Sequence, residues 1–392
     1  MRLGRPVYSC ASGARVPLLQ PQAVVTDRVR AGLARAGVFA VYIDDELSEG
    51  IEPIEPVSPE LRERAVRELH ETFTAVTTKG TSTRIPGEQV ERLESVVQAI
   101  LRELRTNGHM VSTLMDLHTF DSHTLSHSLN VCVLGLMIGD ESMRRHGWLD
   151  GRGLPRRDAY DMRLQKLGIG LLLHDIGKLL IPAEILRKPG RLTDDEMAIV
   201  REHPQTGLDM VEDGALSSLS KVCIIGHHER LDGRGYPLGR GDDLHHHAQV
   251  AGVADVYDAV SSMRVYQARR PTHEAWELVM GLAGTAFPLE LVKVFKETVA
   301  PYPEGVAVQL SDGRRGIVAK VSRDHVTRPK VLITHEGEGV PVTPHAIALF
   351  DERDVAILDT LEDLDSPSDA GPVETDDTPD ELHEQRLSNV LG

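Results

Sequence analysis

The chain has 392 residues, 41% of them hydrophobic and 26% charged, with a net charge of −17. That length leaves room for two or three domains and a sizeable core, and an aromatic content of 4% makes the core aliphatic. The negative balance argues against nucleic acid as a bulk partner, because phosphate binding needs a basic face. The excess charge is concentrated at the end, where 14 acidic residues from Asp351 onward face two arginines. Cys10, Cys132 and Cys223 stand far apart with no Cys-x-x-Cys pair, a usage that fits a reducing compartment. No apolar run approaches the roughly 18 residues of a membrane span, and the first 20 residues lack the apolar middle of a signal peptide. A cytoplasmic protein with no membrane partner is expected.

Residues 1–57 read as a small α/β unit. Asp27 can cap a helix ended by Gly37, and Val38–Ile43 alternates as a strand. After a Pro-rich connector, Ser58 caps a helix with Pro59 at its first position. A second helix over 87–106 carries Val90, Leu93, Val97, Ile100 and Leu104 at steps of three and four. Such a seam can pack on its own domain or form a homodimer contact. Residues 58–109 thus form a helical connector.

From about 110 to 300 the pattern is helix after helix, and most of the histidines fall here. One helix is expected over 159–180, with Leu164, Leu167 and Leu171 on one stripe and His174 a turn beyond. On that reading Lys178 shares a face with His174, and Gly177 leaves the helix surface open to a close neighbour. Thr193 to Glu196 starts another helix in capping-box style. His245-His246-His247 reads as a solvated loop tract. Beyond Pro303 the period changes to two, giving strands at 305–310, 315–321 and 330–334 with an Asp312-Gly313 hairpin turn. Residues 301–358 form a small β appendage, and 359–392 an acidic disordered tail. The fold class is mainly α, a helical bundle with a small N-terminal α/β unit and a C-terminal β-hairpin appendage.

Seven residues of metal-binding type come from several helices of the bundle: His127, His174, Asp175, His203, His227, His228 and Asp255. Inward-facing side chains of a bundle build sites of this kind. Imidazole and carboxylate together suit first-row transition metals. His174-Asp175 lies in an apolar helix, where an unpaired carboxylate would cost several kcal/mol without a cation or hydrogen-bond partners. Adjacent His227 and His228 lead into Asp232-Gly233-Arg234-Gly235-Tyr236-Pro237.

In order, the blocks are His127-Ser128, His174-Asp175-Ile176-Gly177-Lys178, His203-Pro204, His227-His228-Glu229 with Asp232 to Pro237, and Ala254-Asp255-Val256-Tyr257-Asp258-Ala259. This succession resembles the HD-GYP family of the HD superfamily, over roughly 110–296. The resemblance implies an all-helical phosphodiesterase hydrolysing cyclic di-GMP to pGpG, and onward to GMP, with iron or manganese as cofactor. It implies that Asp175 bridges two metals, with His127, His174 and Asp255 completing one site and His203, His227 and His228 the other. Lys178 would stabilise phosphoryl charge or the leaving group. Asp232 and Asp258 would hold supporting contacts to imidazoles or loop. Gly235, Tyr236 and Pro237 would shape the substrate pocket, and Arg264 and Tyr266 would contact substrate. The chain departs from the family at Gln267, where a basic residue is usual, and at His123, where three-metal members carry a carboxylate. Two metals are therefore expected rather than three. A catalytically weak cyclic di-GMP effector and an HD hydrolase of another nucleotide are the alternatives.

Overall fold

The computed structural model describes residues 1–7, 17–35, 41–48, 50–51, 55–78, 84–106, 123–149, 154–188, 190–211, 214–241, 243–262 and 271–361. At the N-terminus, β1 (Arg2–Leu3) pairs antiparallel with β2 (Ile43–Asp44), and α1 (Asp27–Arg35) packs Leu33 against Leu3 and Val7. The helical block follows: α2 (Pro59–Thr78), α3 (Gly87–Thr106), α4 (His123–His146), α5 (Tyr160–Leu173), α6 (Ala183–Leu186), α7 (Asp194–Arg201), α8 (His203–Asp209), α9 (Ser218–Gly226), α10 (His246–Ser261), α11 (Thr272–Gly281) and α12 (Leu289–Thr298). A short ribbon of β3 (Trp148–Leu149) and β4 (Pro155–Arg156) joins α4 to α5. One aliphatic core runs through α2, α3, α4, α5, α9 and α10. The seam residues Val90, Leu93, Val97, Ile100 and Leu104 are buried in that core, so a homodimer contact would need a different surface.

Residues 159–180 do not form the single helix their leucine spacing predicts. The α-helix stops at Leu173, Asp175 leaves helical geometry (φ −100°, ψ 8°), and Ile176–Leu180 continues as a 3₁₀ turn. Lys178 therefore meets Asp175 rather than lying over His174, with its ammonium 2.7 Å from Asp175 Oδ2. Gly177 does serve a close neighbour, and the neighbour is α8. A Cβ at Gly177 would stand 2.0 Å from the His203 carbonyl oxygen and 2.6 Å from Gly207 N.

The histidine tract also differs from expectation. His245 is the N-cap of α10, its Nδ1 accepting from His247 N at 3.1 Å, and His246 and His247 lie in the first turn. His247 is 1% exposed, and its Nδ1 donates to the Leu219 carbonyl at 3.1 Å. The apolar run from Ala248 onward extends far enough upstream to bury His247 and half-bury the two rings before it.

The C-terminal unit is a five-stranded antiparallel sheet in the order β8-β7-β6-β5-β9, made of β5 (Ala307–Leu310), β6 (Arg315–Lys320), β7 (Lys330–Glu336), β8 (Val340–Ala348) and β9 (Ile357–Leu361). Its two edge strands go beyond the hairpins read from the sequence. Residues 359–361, expected to open the tail, pair with β5, and 362–392 lie outside the described residues. Arg323, in the turn after β6, reaches Glu141 on α4 at 2.5 Å. Glu141 is 1% exposed and also pairs with Arg144 and Arg145. Burial pushes its carboxyl up, but the three guanidiniums outweigh burial and bring it down to about 2.

Gly177→Ala should cost about 3 kcal/mol in a urea melt, because the methyl meets backbone that cannot swing aside. Gly281→Ala, where a Cβ has nothing within 4 Å, should be neutral or slightly stabilising. Equal midpoints for the two variants would mean that α8 and the 3₁₀ turn can move apart. For Glu141, a depressed folded value means stability present above the unfolded value near 4.5 and lost as pH falls towards about 2. Glu141→Gln should be less stable at pH 7 and show a flatter loss between pH 5 and 2; parallel curves would show that the arginines give no net stabilisation.

Candidate metal centre

The seven residues converge. Asp175 ends the α5 segment, His127 comes from the start of α4, His203 opens α8, His227 and His228 follow α9, and Asp255 sits in mid-α10. All are less than 9% exposed. Two groups share Asp175: His127, His174 and Asp175 on one side, and Asp175, His203, His227 and His228 on the other. Oδ2 of Asp175 is 3.6 Å from His127 Nε2 and 3.5 Å from His174 Nε2. Its Oδ1 is 3.3 Å from His203 Nε2 and 3.7 Å from His227 Nε2. Asp255 Oδ1 approaches His127 Nε2 at 3.1 Å and His174 Nε2 at 3.8 Å, while its Oδ2 is 3.9 Å from His228 Nδ1.

The imidazoles are aimed by their other nitrogens. His174 Nδ1 donates to Leu171 O at 2.8 Å and His203 Nδ1 to Val200 O at 2.7 Å. His227 Nδ1 donates to the Cys223 and Ile224 carbonyls at 3.1 and 3.0 Å. His127 Nδ1 pairs with Asp258 Oδ2 at 2.7 Å, the supporting contact expected of Asp258. With Nδ1 committed as donor, the Nε2 atoms of His174, His203 and His227 present lone pairs to the interior. Those lone pairs face carboxylate oxygens and one another, as in the 3.1 Å approach of His203 Nε2 to His227 Nε2. His174 Nε2, Asp175 Oδ1 and both ring nitrogens of His228 are buried without a hydrogen-bond partner. Acceptors set against acceptors at this depth fit a cation, because only positive charge satisfies both sides.

Protonation states agree. Burial, reinforced by neighbouring imidazoles, holds His227 down at about 4 and His228 well below its usual range. Burial opposes ionisation of Asp175, but Lys178 and His174 outweigh it and keep the carboxyl well below the ordinary range. Asp255 is likewise held low, burial being overcome by His127 and His228. His127 is the exception: against its burial, Asp255 and Asp258 raise it to about 9. A divalent cation between these groups would displace the proton that His127 holds.

The loop beyond His228 forms the outer wall. Tyr236 stacks on His228 with centroids 4.5 Å apart and planes 19° apart, and its N–H donates to the His228 carbonyl at 3.3 Å. Gly235 has no room for a Cβ, which would stand 2.4 Å from Arg230 N and 2.5 Å from His228 O. Pro237 is exposed beside it. Asp232, expected to support the loop, accepts from Arg234 N at 3.0 Å.

Two residues of this wall had no role assigned from sequence. The carboxylate of Glu229, 3% exposed, accepts from the backbone N–H groups of Leu238, Gly239 and Arg240 at 2.5, 3.1 and 3.0 Å. Arg230, also 3% exposed, donates to the His227 and Glu229 carbonyls at 3.1 and 3.0 Å. The signal available was a Glu-Arg pair directly after two histidines and before a glycine-rich loop, charges that are buried only when paired. Arg264, Tyr266, Gln267 and the side chain of His123 lie outside the described residues. His245, His246 and His247 stay apart from the centre, and Cys223 is a buried free thiol.

The sequence profile of the HD domain family matches residues 149–287, a span that omits His127. A cyclic di-GMP phosphodiesterase of Pseudomonas aeruginosa is 32% identical over 65% of this chain and 58% of its own length. One from Thermotoga maritima is 34% identical over 38% of this chain and 42% of its own. The chain thus spans about half the length of these curated relatives. An HDG"Y"P protein from Bdellovibrio bacteriovorus superposes with a TM-score of 0.45 at 17% identity, over 60% of this chain and 69% of that one. Residues 149–287 of this chain thus resemble an HD domain.

Proposed function

We propose that the protein is a metal-dependent phosphodiesterase that hydrolyses cyclic di-GMP to pGpG and onward to GMP. The observation that carries the reading is Asp175, whose two buried oxygens each face a separate set of imidazole nitrogens. That arrangement suits a carboxylate shared between two cations, and the names of the relatives supply the substrate class. His127, His174, Asp175 and Asp255 would hold one ion, and Asp175, His203, His227 and His228 the other. The nitrogen-rich donor set favours iron or manganese over magnesium or calcium, which prefer oxygen. Two bound ions supply Lewis acidity and a water of lowered pKa.

The chain's own groups do the rest. Lys178 keeps a cation at the edge of the centre, 2.7 Å from Asp175, where it can stabilise charge developing on the phosphoryl oxygens. Asp258 holds the His127 ring in the tautomer that directs Nε2 inward. Gly235, Tyr236 and Pro237 wall the substrate side, and Arg264 and Tyr266 would contact the dinucleotide. No described helix is long and apolar enough to cross a membrane, which suits a cytoplasmic signalling enzyme.

Metal analysis of the purified protein, then chromatography after incubation with cyclic di-GMP under reducing conditions, tests the proposal. Bound metal without pGpG or GMP would remove this substrate from consideration. Asp175→Ala should lose bound metal and turnover together; surviving turnover would refute the shared-ligand assignment. Lys178→Met should keep its metal and lose turnover by about 10²–10³-fold. A coincident loss of metal would make Lys178 a structural counter-ion to Asp175 instead.

A further inference from the structure

We propose that Glu229 is a positioning residue for the ion site of His203, His227 and His228. It holds the loop that carries Tyr236, and Tyr236 sets the angle of the His228 ring. The inference rests on the two-ion reading of the centre given above and adds to it how one ligand is aimed.

His228 stands apart from the other imidazoles of the centre. Main-chain carbonyls fix His174, His203 and His227, and Asp258 fixes His127. Neither buried ring nitrogen of His228 has a hydrogen-bond partner among the described residues. Three rings surround it instead. His227 lies 4.1 Å away at a tilt of 45°, His203 meets it edge-on at 5.0 Å, and Tyr236 stacks on it at 4.5 Å with planes 19° apart. The first two are ligands themselves, and Tyr236 is not. A near-parallel phenol opposes rotation of the imidazole about Cβ–Cγ, because turning would drive a ring edge into its face.

Tyr236 is held in turn by the residue that follows His228. Just beyond Pro237 the chain closes on the Glu229 carboxylate: Leu238 N and Gly239 N donate to Oε1 at 2.5 and 3.1 Å, and Arg240 N to Oε2 at 3.0 Å. Gly239, at φ +59°, turns successive N–H groups towards one point, a backbone arrangement suited to an anion. On the way out, Gly235 lies against the 228–230 backbone, where a Cβ would stand 2.5 Å from Glu229 Cα. Residues 229–240 therefore form a closed loop that is latched by a buried carboxylate and presents Tyr236 to His228. Both oxygens of Glu229 accept from backbone, and neither belongs to the two metal-binding groups, so the residue acts on the centre through Tyr236. Hydrogen bonds to an ionised acceptor are the strong kind. A carboxamide in its place would set N–H against N–H and give up at least one of the three.

The test reads bound metal, so its result does not depend on which diester is cleaved. The full chain and its variants are stripped with chelator and titrated with manganese(II), the free ion being counted by electron paramagnetic resonance. The unaltered chain should take up two ions. Glu229→Gln and Tyr236→Leu should hold the first ion within about twofold of its original affinity and bind the second about 10–100-fold more weakly, as loss of an orienting partner does. Tyr236→Phe keeps the ring and should match the unaltered chain. Glu229→Asp keeps the charge but reaches fewer donors and should fall between, which gives the carboxylate its own test if Glu229→Gln does not fold. Unchanged affinity for both ions in the Glu229 variants overturns the inference. Equal weakening of both ions does so too, as does a loss in Glu229→Gln that Tyr236→Leu fails to reproduce. Uptake of fewer than two ions by the unaltered chain overturns the two-ion reading, and the inference with it.

Discussion

The structure depends on a concentration of unshared electron pairs inside an aliphatic core. Five imidazoles and two carboxylates crowd a space bounded by α4, α5, α8, α9 and α10, and several of their atoms face other acceptors. Nothing in the surrounding leucine and valine packing compensates such an arrangement. The chain tolerates it by fixing each donor through a neighbour, so that the electron pairs stay directed where a cation is wanted. The stability of the helical block and the chemistry of the centre are therefore one problem. The same packed helices that exclude water also hold the rings at their angles.

Much of the centre was legible in the sequence because ligands are chemically distinctive. His174-Asp175 inside an apolar run and the adjacent His227 and His228 have few uses in a core other than binding. What escaped the sequence was geometry. The leucine spacing of 164, 167 and 171 continues smoothly towards Lys178, yet the helix breaks at Asp175 because α8 must pass against Gly177. The 245–247 tract looked solvated because three histidines in a row are polar by composition. The burial of His247 and the partial burial of the other two are imposed by the helix they begin.

The β unit shows the same division. Inner strands β5, β6 and β7 carry short aliphatic runs and were readable, whereas both missed strands are edges. Pro341 and Pro344 in β8 argue against a central strand but are tolerated where one side needs no partner. Strand β9 sits among acidic residues and reads as tail by composition, but Ile357 and Leu361 give it just enough apolar character to pair with β5. Edge strands carry weak signals because half of their environment is solvent.

The anchoring of three of the imidazoles has a further consequence. Leu171, Val200, Cys223 and Ile224 hold them through main-chain oxygens, which every residue type possesses. Replacement of those four side chains leaves the tautomer choice intact, so the centre can drift widely in sequence around its ligands. What it cannot absorb is a change in chain length. One residue inserted in α5, in α9, or between α7 and α8 would rotate a ring about 100° away from its carbonyl. Such a centre is tolerant of spelling and strict about counting.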